Sequence, residues 1–101
     1  MIVVWTEQAE QDIQKNLDYL EITWGAESAS NFLDRVEASL KAVQKNPISY
    51  QSVEHKEEVH RFVINKYISL FYQVENEKLA LLSFWDNRRN PSDLDQILNK
   101  K

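Results

Sequence analysis

The chain contains no cysteine, a single glycine and two prolines in its 101 residues. Without thiols there can be no disulfide, no thiolate nucleophile and no cysteine-ligated zinc. A cysteine-free chain suits a reducing compartment, and a cytoplasmic location is expected. One glycine cannot build either of the glycine-rich loops that cradle phosphates, so no nucleotide cofactor is expected. Long apolar runs are missing as well. The opening "MIVVWTEQ" lacks the basic start and the length of a signal peptide, and no stretch approaches a membrane span. No membrane partner is expected. The two histidines, His55 and His60, stand five apart without metal-site spacing, and no metal ligands are assigned. No histidine–acid context accompanies Ser69, Ser83 or Ser92, as a hydrolytic triad requires. Glu57 and Glu58 are adjacent, so in a strand they would face opposite sides instead of working as a pair.

What is present is a globular balance, 43% apolar and 28% charged, in a length that suits one domain over residues 1–101. The net charge of −4 argues against a nucleic-acid coat. Its distribution is uneven. Met1–Asn46 holds eight acids against four bases, whereas Pro47–Lys101 holds eight of each. A local basic site is therefore compatible with an acidic molecule.

Ile2-Val3-Val4-Trp5 is a β-branched run that predicts a strand. Thr6 can cap a following helix, whose first turn carries Glu7 and Glu10 to suit the helix dipole. Ala9, Ile13, Leu17, Leu20 and Trp24 recur at steps of three and four and predict one apolar face. Gly25 stands where a left-handed cap ends such a helix. Ala29, Phe32, Leu33, Val36, Leu40 and Val43 repeat the pattern up to Asn46-Pro47, where proline bars its predecessor from helix. The two helices should form an antiparallel hairpin. Residues 47–58 read as a loop. Strands are predicted at Val59–Ile64, Tyr67–Val74 and Leu79–Trp85, with a tight turn at Asn65-Lys66 and a looser one over Glu75–Lys78. Ser92 should cap a short last helix holding Leu94, Ile97 and Leu98.

The sum is an α+β fold: strand, helical hairpin on one face of an antiparallel sheet, a three-stranded meander (β-α-α-β-β-β), then a short helix. Leu17, Leu20, Phe32, Val36, Leu40, Leu70 and Leu82 are the expected core. Trp5, Trp24 and Trp85 are expected to be largely buried. In the last strand Leu79 and Leu81 alternate against Ala80, Leu82 and Phe84, so both faces are apolar. Two helices can cover only one of them, and either a partner or tolerated exposure must account for the other.

The unusual feature is "LALLSFWDNRRNPSDL", in which the most apolar segment ends in two adjacent arginines. Two readings stand side by side. Arg88 and Arg89 can pair with Asp86 or Asp93 in an ordinary Asp/Asn-rich turn. Alternatively, Arg89 converges with Arg61, a guanidinium placed inside a strand, on a surface that binds phosphate or an acidic peptide. In the second reading Arg88 supports the turn or stays solvated.

The order of elements and three segments resemble the RelE/ParE superfamily of bacterial type II toxins, over nearly the whole chain from "VVWTEQAEQDI" to "NPSDL". "WTEQAEQDI" resembles the family's first strand and helix start. "HRFVINKYISLFYQV" resembles its paired strands, with Arg61 on the first and Tyr72 on the second. "LSFWDNRRNP" resembles the arginine-bearing exit, with Arg89 on the recurrent basic position. The resemblance implies a toxin neutralised by a co-encoded antitoxin, as a toxin–antitoxin hetero-oligomer or a homodimer. Arg61, Arg88, Arg89, Tyr72 and Trp85 are then the residues expected to meet target or antitoxin. RelE-like members cleave mRNA on the ribosome, whereas ParE-like, plasmid-stabilising members act on DNA gyrase. No tyrosine follows Tyr72, where the RNase branch carries one near its C-terminus, so the resemblance leans to the ParE-like branch. If the chain is instead an mRNA endoribonuclease, Arg61, Arg89 and His60 are its expected catalytic set. A degenerate member that only binds its antitoxin is the remaining alternative.

Overall fold

The computed structural model describes residues 1–99. In chain order the elements are β1 (Ile2–Trp5), α1 (Glu7–Trp24), α2 (Ala26–Lys45), β2 (Ser52–Val53), β3 (Lys56–Val63), β4 (Ile68–Glu75), β5 (Lys78–Asp86) and α3 (Pro91–Leu98). They form one five-stranded sheet in the order β1-β5-β4-β3-β2. The α+β expectation holds, with two additions. β1 runs parallel to β5, so the sheet is mixed. A short β2 pairs with β3 inside the stretch expected to be loop.

The helices end where local chemistry says they should. The Thr6 hydroxyl oxygen accepts from the Ala9 amide and caps α1, with Glu7 and Glu10 in the first turn. Gly25, at φ 98°, closes α1 by donating its N–H to the carbonyls of Leu20 and Glu21. α3 departs from expectation at its start. Its cap is Asn90, whose side-chain oxygen accepts from Ser92 N–H, with Pro91 in the first turn. The Asn65 side chain accepts from the amides of both Tyr67 and Ile68 and so builds the β3–β4 turn. The β4–β5 turn is tighter than expected, with only Asn76 and Glu77 between the strands and Asn76 at φ 55°.

The main core lies between the helical hairpin and one sheet face, where Phe32 and Val36 meet Leu70, Leu79 and Leu81. Burying each such side chain contributes about 1.5–3 kcal/mol. Leu17, Leu20 and Leu40 pack against this cluster while only partly buried. Leu82 does not join it and packs on the opposite face. There Val59, Phe71 and Trp85 are covered by Leu94, Ile97 and Leu98 of α3, which accounts for the second apolar face of the last strand.

Leu82 follows inward Leu81 and faces outward by plain alternation, but Phe84, which should share its face, does not, and this has a definite cause. β4 and β5 pair in register from Glu75↔Lys78 to Tyr72↔Leu81, but Phe71 pairs with Ser83, leaving Leu82 as the extra residue of a β-bulge. Alternation shifts by one beyond it. Phe84 therefore turns inward with Leu79 and Leu81, and Trp85 turns outward.

Two tryptophans also depart from expectation. Trp85 is buried, but Trp5 is 36% and Trp24 69% exposed. Trp5 stacks on Phe84 at the end of β1. Trp24 lies in the last turn of α1, where the helical period continues but no element closes over it. No helix among the described residues is long and apolar enough to cross a membrane.

Candidate functional site

Arg61 sits on β3 with Phe71 as its partner on β4, on the face that α3 covers. Its Nε donates to Ser69 Oγ at 3.1 Å and its Nη2 to Asn87 Oδ1 at 3.2 Å. Ser69 Oγ also donates to Asn87 Oδ1, at 2.9 Å, and Asn87 is itself fixed by its N–H to the Tyr67 carbonyl. The guanidinium lies 5.9 Å from the centre of the Phe71 ring. Every acceptor that holds it is neutral, so its charge is oriented without being cancelled.

Arg89 follows the end of β5, its guanidinium 4.4 Å from the centre of the Trp85 ring. Phe71 and Trp85 belong to the same outer cluster, and each carries an arginine over its face. Among the described residues the ion pairs within 4 Å are Arg88–Asp86 and His55–Glu54, so neither Arg61 nor Arg89 has a carboxylate partner.

Arg88 behaves differently. Its Nε and Nη2 donate to the two oxygens of Asp86 at 3.0 and 2.8 Å, and Asp86 Oδ1 also accepts the Arg88 amide. These bonds hold the Asp86 carboxyl below its usual pKa. The Arg88 guanidinium covers the Tyr67 ring at 4.7 Å. It therefore supports the turn, and its neighbour is left free.

The remaining expected residues lie elsewhere. Tyr72 is fully buried in the main core and donates its hydroxyl to the Pro47 carbonyl, and burial, with Tyr50 nearby, pushes its pKa up to about 12. His60 is buried on the same inner face, stacked on Tyr72 at 5.4 Å, with Nδ1 2.9 Å from the Tyr50 carbonyl. His60 and Arg61 are neighbours in a strand and point to opposite faces. The set Arg61, Arg89 and His60 is thus not assembled. Trp85 supports Arg89 from below and is only 4% exposed.

A groove that sequence reasoning missed lies on the helix side of the sheet. It encloses about 550 Å³, has Leu20, Phe32 and Ile68 in its lining, and is edged by Tyr19, Trp24 and Tyr67. Arg35 and Arg88 also line it, and no acid does, although the chain carries 16 acids in all. Arg35 is held there by donating Nε to the Ile64 carbonyl at 2.8 Å. A cleft of about 310 Å³ between α1 and the end of β5 also takes in Tyr19 and Arg88, together with Lys15 and Arg89. The only advance signal was the apolar period running on to Trp24.

A family model described as the ParE toxin of type II toxin-antitoxin system, parDE, matches residues 3–91. No curated protein matches the sequence. Among solved structures, a chain of the "Chromosomal ParDE TA system from P. aeruginosa" superposes with a TM-score of 0.73 at 17% identity, over 85% of this chain and 95% of that one. A YoeB/ParE toxin from Agrobacterium tumefaciens gives 0.63 at 10% identity, over 86% and 99%. A YoeB dimer from Staphylococcus aureus gives 0.60 at 14% identity, over 84% and 94%. At these identities the structures share the fold.

Proposed function

For a chain that belongs to the ParE toxin family, as the match over residues 3–91 establishes, we propose a growth-inhibiting toxin that acts by binding DNA gyrase and is neutralised by a co-encoded antitoxin. The observation that carries this reading is the pair Arg61 and Arg89. Both are oriented by neutral groups, both lie over aromatic rings of one cluster, and neither has a carboxylate within 4 Å among the described residues. Such groups bind an acidic or phosphate-bearing partner and add about 1.5–3 kcal/mol per charged hydrogen bond when partly buried.

Binding fits this arrangement better than RNA cleavage. Phosphodiester cleavage needs a proton donor or acceptor beside the cationic groups. His60 is on the other face, Tyr72 is buried, and no tyrosine follows it. The antitoxin has two kinds of surface to occupy: the arginine pair for an acidic segment, and the acid-free aromatic groove for an apolar one.

The test is a short induction of the protein alone in growing bacteria, following DNA and protein synthesis with labelled precursors. DNA synthesis is expected to fall first, and an Arg61→Ala/Arg89→Ala variant to lose the effect. Protein synthesis falling first would show instead a ribosome-directed toxin. Growth unaffected by the wild-type protein would leave a chain that only binds its antitoxin.

A further inference from the structure

Asp12, on the buried face of α1, is a carboxylate at 7% exposure in a molecule whose other described acids are at least partly exposed. All its bonds within the structure come from neutral donors. Its Oδ2 accepts from Ser83 Oγ at 2.7 Å and from the Phe84 amide at 3.1 Å, and its Oδ1 accepts from Gln8 Nε2 at 2.8 Å. Ser83 and Phe84 are the first two residues after the bulge at Leu82.

The location explains why a side-chain acceptor is needed there. β1 pairs with β5 only as far as Trp5↔Leu81. Beyond that point the edge of β5 has lost its neighbouring strand, and the start of α1 takes over. Thr6 donates its amide and hydroxyl to the Leu81 carbonyl, and Asp12 receives the Phe84 amide. An unmet amide at this buried position would be costly.

The consequence reaches the surface. Without the extra residue, a ladder continuing from Tyr72↔Leu81 would pair Phe71 with Leu82, Leu70 with Ser83 and Ser69 with Phe84. Phe84 would then face outward and Trp85 inward, and every later residue would move by one. Arg89 would lose the ring on which it stacks. We infer that Asp12 is the positioning residue that holds the β5 bulge in place and thereby sets Trp85 and Arg89 on the partner-binding face. The functional half of this inference rests on the toxin reading above, and its geometric half does not.

The experiment uses the full chain with Asp12→Ala and Asp12→Asn substitutions. With its guanidinium 4.4 Å from the centre of the Trp85 ring, the Arg89 side chain should carry an upfield ring-current shift in proton NMR spectra. Asp12→Ala should abolish at least half of that shift at temperatures where the variant is folded. Asp12→Asn should restore it, because the amide oxygen can still accept from Ser83 and Phe84 while Gln8 turns its own oxygen toward the new NH2. In the induction assay, Asp12→Ala should weaken growth inhibition about as much as Arg89→Ala, and the double variant should be no weaker than Arg89→Ala. A ring-current shift unchanged in Asp12→Ala, no rescue by Asp12→Asn, or additive losses in the double variant would each overturn the inference. If Asp12→Ala does not fold, Ser83→Ala removes one of the two bonds at the bulge. It should lower the shift partially, and an unchanged shift there would overturn the inference equally. If the wild-type protein does not inhibit growth, the toxin reading fails, while the NMR comparison still decides the part played by Asp12.

Discussion

Tyr72 ties a loop to the sheet through one hydroxyl, and its proton has measurable consequences. The hydroxyl donates to Pro47 inside the main core, and burial pushes its pKa up to about 12. In the unfolded chain a tyrosine ionises near pH 10. Between those values the unfolded state loses this proton and the native state keeps it, so stability is full below about pH 10 and falls as pH rises toward 12. Two pKa units correspond to about 2–3 kcal/mol. A Tyr72→Phe variant should lose about 1 kcal/mol at neutral pH with the hydrogen bond, and should show a shallower alkaline decline than wild type in urea titrations. Equal declines would mean that the tyrosine ionises in the native state as easily as in the unfolded chain. The tryptophans separate in the same way. Trp85→Ala should cost about 3–5 kcal/mol, as for other buried aromatics, and Trp24→Ala no more than about 0.5 kcal/mol, both read from the denaturation midpoint. Sequence pattern did not distinguish these two, because periodicity names a helix face without saying what covers it.

At the scale of elements, the strands, the hairpin of helices and the last helix are all legible in residue patterns, since each depends on local spacing, caps and turn residues. β2 is not. Its two residues have no alternation to read, and it exists because Val53 and Ser52 pair with β3 and the Gln51 carbonyl accepts the Arg61 amide. The bulge is equally silent in the sequence, as its determinant, Asp12, lies more than seventy residues away. That single hidden feature turned Phe84 to the inner face of β5 and Trp85 to the outer one, while Leu82 stayed outward. It also conceals the task of α3, which is to close the outer cluster over Val59, Phe71 and Trp85. Leu98 is the buried anchor of that helix, at 3% exposure. Leu98→Ala should therefore cost about 2–3 kcal/mol in urea unfolding, at the lower end for a buried leucine in so short an element. A loss below about 0.5 kcal/mol would mean that α3 contributes little to the fold, and that the outer cluster stands without it.

On the whole molecule, the two adjacent arginines serve different surfaces. Arg88 turns to Tyr67 and the aromatic groove with its charge paired to Asp86, whereas Arg89 lies over Trp85 on the outer cluster without a carboxylate partner. The pattern of residues had already singled out Arg61 and Arg89. It gave no hint of the groove, whose lining comes from α1, α2, the β3–β4 turn, the start of β4 and Arg88 beyond β5, and is brought together only by the fold. On a chain of net charge −4 both surfaces are free of unpaired acid among their named residues, but they should attract a partner by different physics. Attraction at the arginine pair is coulombic and is screened as salt shortens the Debye length to about 3 Å near 1 M. Burial in the groove is apolar and is not weakened by salt. For the co-encoded antitoxin, calorimetric titration of the wild-type toxin should show affinity falling with salt. Arg61→Ala/Arg89→Ala should weaken binding chiefly at low salt and flatten that dependence. Tyr19→Ala/Trp24→Ala should weaken binding at every salt concentration while leaving the slope as it was, with a less negative heat-capacity change. If both double variants keep the wild-type slope, the arginine pair lies outside the antitoxin interface, and its charge is free for the cellular target alone.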